Sequence, residues 1–210
     1  MKPDHSRRYL QLFEALSVVF ALCDMHMRDL EVDIHKIKDD PTELLRVLAS
    51  CWSIVDCVHR TRELSQSVPG LSRNDPSLRK LLSATKSAEE FRHYIQHLRN
   101  ELSNPDSVTT PVWGSLSWVD EENDQLCYTA MIGTMYEGTN HYSCVYDRYN
   151  NRWVSRVALT VKGTTFNFDP AAEAVAEFRK FILNWIIHKS SIKIEPRVEF
   201  PIVSCLVDLS

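Results

Sequence analysis

Glycine is scarce in this chain, with five residues in 210, and none is spaced to cradle a phosphate. A Rossmann or P-loop site is thereby excluded. Paired cysteines are lacking too: Cys23, Cys51, Cys57, Cys127, Cys144 and Cys205 include no C-x-x-C, and most sit in apolar runs where a free thiol behaves as a small hydrophobe. They read as reduced, which points to the cytoplasm. Cys23 and His26 are a lone pair of potential ligands with no second pair at zinc-like spacing, so neither a metal nor any other cofactor is expected.

No apolar run approaches the roughly 18 residues of a membrane span, and no basic start followed by an apolar stretch and a small-residue cleavage site opens the chain. Neither export nor membrane contact is expected. Positive charge is not in excess either. The net charge is −4, with 15 basic and 15 acidic side chains in residues 1–105 against 9 and 13 in residues 106–210. Proteins that grip long nucleic acid through phosphates ordinarily carry a basic face, so a dedicated nucleic-acid scaffold is disfavoured. An enzyme with a small local site stays open.

What is present is 44% hydrophobic and 25% charged residues, enough to bury a core without staples, in one large domain or two small ones. The spacing of Leu12, Phe13, Leu16, Val19, Phe20, Cys23, Met27 and Leu30 predicts a long amphipathic helix over about 9–30. Asp40-Pro41, an N-cap with proline at the first helical position, opens a second that ends before Pro69-Gly70, and Asp75-Pro76 repeats the signal for a short third. Ser87-Ala88-Glu89-Glu90 reads as a capping box opening a helix to about Leu102.

Beyond Pro111 the pattern becomes β-branched and aromatic, divided by turn-like clusters at 120–124, 137–140 and 150–151. Strands are expected at Val112–Val119, Gln125–Met135, His141–Tyr146, Trp153–Val161 and Thr164–Phe168, with a further edge strand at Val198–Val207. Asp169-Pro170 should cap a helix whose stripe runs from Ala174 to Ile186 and covers a sheet face. The fold class is therefore α+β. An antiparallel helical bundle, domain 1–105, is followed by an antiparallel β-sheet domain, 106–210, with one covering helix.

The helix from Ser87 to Leu102 is the richest in chemistry. Phe91, Ile95, Leu98 and Leu102 form its apolar stripe, while Arg92, His93, Gln96, His97 and Asn100 occupy the opposite arc. In its Arg92-x4-His97 motif, with the polar residue His93 directly after the arginine, the chain resembles the HEPN superfamily of helical bundles over roughly residues 5–103. The resemblance implies a homodimer in which the motif helices meet and Arg92 and His97 of both chains build one site for single-stranded RNA. It implies a metal-independent ribonuclease, a toxin or defence protein in such families, with an antitoxin or regulatory protein as a further partner.

The chemical logic is that RNA brings its own nucleophile, the 2′-hydroxyl. The protein need only move protons, for which His97 has a suitable pKa, and hold the phosphate, for which the Arg92 fork is suited. His93, Gln96 and Asn100 would support that pair. Asp56 and His59 on the second helix either edge the motif or, in the case of His59, form a hydrogen-bonded structural group.

Other readings compete. Arg28 and His35 form a second match to the spacing, though across a helix end, and a solvated helix face produces such motifs by chance. The aromatic strands suit a stacking platform or, more simply, cross-strand pairs. The acidic turn 120–124 lacks the spacing of a calcium loop, and nothing about His141 and Asp147 is diagnostic of a site in the β half. Gly114-Ser115-Leu116-Ser117 lacks the second glycine of a nucleophile elbow. The alternative to a nuclease is a non-catalytic interaction or ligand-sensing protein, in which the helices dimerise and the β half binds the partner.

Overall fold

Apolar residues at helical spacing build the first element, α1 (Ser6–Asp33), in the computed structural model, which describes residues 6–103, 111–133 and 144–190. Its buried side chains, Leu12, Phe13, Leu16, Val19, Phe20, Cys23 and Leu30, are those the spacing selects, and they pack along the next helix. By length and composition alone the segment Ser6–Lys38 is apolar enough to cross a membrane, a test that the core helix of a folded domain also passes. In the fold that stripe is a core face against α2 and the last helix.

Asp40 caps as expected, its carboxylate accepting from the Thr42 N–H, but Pro41–Glu43 forms a 3₁₀ turn and α2 proper spans Leu44–Gln66. At α3 (Pro76–Ala84) the Asp75 carboxylate accepts from the N–H groups of Ser77 and Leu78. The motif helix differs from expectation at both ends. Thr85 ends α3 and starts α4 (Lys86–Gln96), in place of a Ser87 box. The helix then breaks at His97 (φ −106°, ψ 15°), and α5 (Leu98–Ser103) follows. The two pieces answer to different anchors: Tyr94 donates to the Val112 carbonyl at 2.8 Å, while Glu101 receives Lys162 from the sheet.

Four strands, β1 (Ser115–Val119), β2 (Cys127–Met131), β5 (Val157–Val161) and β6 (Thr164–Asn167), form an antiparallel sheet in the order β2-β1-β5-β6. β1 is flanked on both sides, with Leu116 opposite Ala130 and Leu159, and every one of its residues is buried. The expected strand from Trp153 to Val161 is interrupted. A small hairpin of β3 (Tyr146–Asp147) and β4 (Arg152–Trp153) comes first, and then Ser155 and Arg156 turn aside to bind Asp169. Asp169 is thereby spent on the Arg156 N–H at 2.6 Å, and α6 (Phe168–Lys189) begins two residues earlier than a cap there would allow. The first half of the expected strand His141–Tyr146, the last two positions of Gln125–Met135, all of Val198–Val207, and positions 104–110 of the expected domain boundary lie outside the described residues.

The covering helix does more than cover. Its start lies on β5, but most of its length packs against α3, α1 and α2, with Arg179 paired to Asp24 at 2.7 Å and Trp185 edge-on to Tyr9. The buried apolar residues of helices and sheet belong to one cluster, joined where Phe91 of α4, Phe166 of β6 and Phe168 of α6 meet with ring centres 5.9 and 4.9 Å apart.

Candidate functional site

Phe91 and Tyr94 bury one side of α4 and so decide where its polar residues point. Arg92 turns toward α2, its Nη1 3.4 Å from Asp56 Oδ1. The other oxygen of Asp56 accepts from Arg60 Nε at 2.6 Å, the i to i+4 pair of an exposed helix face. That hydrogen bond and the carboxylate charge push the Arg60 guanidinium further up in pKa. One carboxylate therefore orders two arginines.

They stand at a cleft of about 450 Å³ walled by α1 through Leu22 and His26, by α2 through Trp52 and Asp56, by Ile95 of α4, and by Trp113. Trp113 lies edge-on to Trp52, with ring centres 6.4 Å apart, and Trp52 in turn rests on Phe91. Trp52 Nε1, His26 Nδ1 and Asp56 Oδ1 are sealed from solvent without a hydrogen-bond partner within the protein, although Asp56 Oδ1 keeps its ion pair and His26 Nδ1 lies 4.0 Å from Asp29. Buried polar atoms are ordinarily satisfied, so three such atoms around one cleft mark it out.

The lip of this cleft depends on Gly114, whose φ of +90° carries the chain from Trp113 into β1. A Cβ there would stand 2.8 Å from the Thr160 carbonyl and 2.7 Å from a Val161 methyl. Gly114→Ala is therefore expected to cost about 2 kcal/mol through strain and overpacking, and to move Trp113. Urea unfolding reads the first effect, and the tryptophan emission of the folded variant reads the second. An unchanged midpoint would show that the turn tolerates a side chain.

The histidines lie elsewhere. His93 and His97, both exposed, lie against each other with ring centres 4.4 Å apart and their planes tilted by 51°. His93 lines a separate hollow of about 160 Å³ with Tyr94, Glu101, Lys162 and Thr164. Gln96 and Asn100 are exposed beside them. Among the described residues no hydrogen bond or ion pair joins Arg92 to His97. Five residues of an α-helix turn through about 140° beyond one full circle, and the break at His97 adds to that divergence. His59, mostly buried, has Nε2 3.5 Å from Glu63 and does not reach the cleft. The structure thus joins Arg92 to Asp56 within one chain and sets His93 and His97 on another side.

The competing readings resolve locally. His35 meets Glu121 at 3.9 Å rather than Arg28. In the acidic turn Asp120 accepts from the N–H groups of Glu122 and Asn123 and pairs with Lys38, while Asp124 pairs with Arg156, so both aspartates are engaged within the protein. Trp118 with Tyr128, and Tyr146 with Trp153, are cross-strand pairs. Asp147 caps its own turn, and His141 lies outside the described residues. Cys23 is buried, its thiol pushed up to about 12 by desolvation and then by Cys57 and Asp24, while His26 lines the cleft. Among the described residues no three His, Cys, Asp or Glu side chains gather as metal ligands.

Of the cleft residues, Arg60 is expected from the sequence on the α2 edge that faces the motif helix, and Trp113 among the aromatic residues of a stacking platform, whereas Trp52 is expected only in the apolar arc of α2 and His26 only as a possible metal ligand with Cys23. Of the contacts in the cleft, only that of Asp56 with Arg60 is signalled by spacing. Comparison of the chain with protein-family models, with curated proteins and with solved structures found no match.

Proposed function

We propose that this chain is a metal-independent endoribonuclease of HEPN kind, acting on single-stranded RNA at a homodimer, with Arg92 as phosphate clamp and His97 as the proton-transfer group. The observation that supports this reading is the mounting of Arg92. Its guanidinium is held by Asp56, which is itself held by Arg60, at the mouth of a cleft rather than loose on a helix face. Because His97 faces another side of the same chain, this reading takes the His97 that works beside Arg92 from a second chain. The 2′-hydroxyl attacks phosphorus as its proton passes to one imidazole, and the P–O5′ bond breaks as a second imidazole protonates the leaving oxygen. A 2′,3′-cyclic phosphate and a 5′-hydroxyl result.

The same divergence favours a second reading, in which the cleft binds a ligand or partner without cleaving it. One experiment separates the two. Labelled single-stranded RNA is incubated in excess EDTA with the parent, Arg92→Ala and His97→Ala, each checked for fold and oligomeric state. The nuclease reading expects cleavage that both variants lose by roughly 100-fold or more. Uncut RNA, or equal cutting by the variants, leaves the binding reading.

A further inference from the structure

The cleft carries more positive charge than its own carboxylate neutralises. Asp56 is shared between Arg60 and Arg92, and a guanidinium has five N–H donors. Among the described residues neither arginine makes another hydrogen bond, and their side chains are 54% and 30% exposed, in a chain whose net charge is −4. Beside them Trp113 is 44% exposed, whereas Trp118, a few residues on in the sheet, is 2% exposed. An indole left open next to two under-used guanidiniums, in a hollow within the size range of small-ligand sites, is a pairing of chemistries. Beneath it waits the Trp52 N–H donor.

We infer that this cleft binds a nucleotide, with the phosphate on the free N–H groups of Arg60 and Arg92 and the base stacked on Trp113. A bare phosphate would leave the indole unused, a neutral ring would leave the guanidiniums unused, and an aliphatic carboxylate would do nothing for Trp113. A nucleotide meets both needs, since its phosphate pairs with the guanidiniums, the faces of its base stack on an indole, and the edges of that base carry hydrogen-bonding groups for Trp52 Nε1. The inference rests on the assignment of Arg92 to a phosphate but not on cleavage. The nucleotide comes either free or as one unit of a single strand, and these share the same chemistry at the cleft.

The test is isothermal titration of the full chain, in EDTA, with adenosine and uridine 5′-monophosphates, adenosine, inorganic phosphate, and a 2′-deoxy single-stranded heptanucleotide that lacks the attacking hydroxyl. A monophosphate or the heptanucleotide should bind at least roughly tenfold more tightly than phosphate or adenosine. Trp113→Ala should weaken that binding by roughly tenfold, Trp113→Phe should restore most of it, and Arg60→Ala and Arg92→Ala should each weaken it comparably. Tighter binding of the heptanucleotide than of the monophosphates assigns the site to single strands, and equal binding assigns it to free nucleotides. No binding by any of them, or equal binding by parent and Trp113→Ala, overturns the inference. If Trp113→Ala binds normally while His97→Ala loses cleavage, only the base site falls. If binding depends on Trp113 and no RNA is cut, only the nuclease falls.

Discussion

Replacing Arg62 with methionine should lower the stability of the chain by about 3 kcal/mol, because two hydrogen bonds from a buried charged group, to the Leu82 carbonyl and the Thr85 hydroxyl, are lost. Arg62 is buried, and from α2 its Nη1 donates to the Leu82 carbonyl at 2.6 Å and to Thr85 Oγ1 at 2.9 Å, while Nη2 reaches Glu89 at 2.9 Å. The Glu89 side chain is 67% exposed, so its carboxylate returns to water and that ion pair contributes little. The cost falls on Leu82 and Thr85, at the corner where α3 ends and α4 begins. Methionine keeps most of the apolar stem and isolates the loss of the fork. Lysine, a single point charge, should recover only part of it. For a chain of this size the change corresponds to a melting temperature lower by roughly 6–12 °C. A loss under about 1 kcal/mol in urea unfolding would show that the corner holds without the guanidinium. The corner sets the seat of α4 on α2, and hence the approach of Arg92 to Asp56.

Truncating Phe166 to alanine should cost more, about 3–5 kcal/mol, since its side chain is fully buried between aromatic neighbours from two helices. The sharper expectation concerns where the loss is felt. Buried residues of α1, α2, α4 and α6 form one cluster with Leu116, Leu159 and Phe166 of the sheet, so the helices and the sheet should unfold together. Native-state hydrogen exchange checks this. The slowest amides of α2 and of β1 and β5 should report the same opening free energy in the parent and fall by equal amounts in the variant. A fall confined to the sheet would mean that helices and sheet carry separate cores.

The candidate site was legible only in part. Arg92, His97 and Asp56 are residue types suited to phosphate and proton chemistry, and the i to i+4 spacing of Asp56 and Arg60 is readable along one helix. That Arg92 joins the Asp56 pair depends on α4 docking across α2 through Phe91 and Trp52, and that Trp113 completes the wall depends on a left-handed glycine in a different part of the chain. Arg92 and His97 do not share a face even on an uninterrupted helix, because five residues turn it about 140° past a full circle. Tyr94 and Glu101, tied to Val112 and Lys162, divide the expected helix at His97.

By itself the order of residues determined what is settled within a few positions along the chain. Asp40 and Asp75 cap their helix starts because a short carboxylate reaches N–H groups two or three residues on. The stripes of α1 and α2 bury as their periodicity requires, and the change to β-branched and aromatic runs marks the sheet. Which stripe meets which was decided only in three dimensions: α6 returns to α3 and α1, Asp169 serves Arg156 instead of a helix start, and Trp52, Arg92 and Trp113 converge from three parts of the chain. Caps and periods are short-range and nearly independent of context. Convergence is set by burying the most apolar area at once, a sum over the whole molecule that no single window of sequence contains.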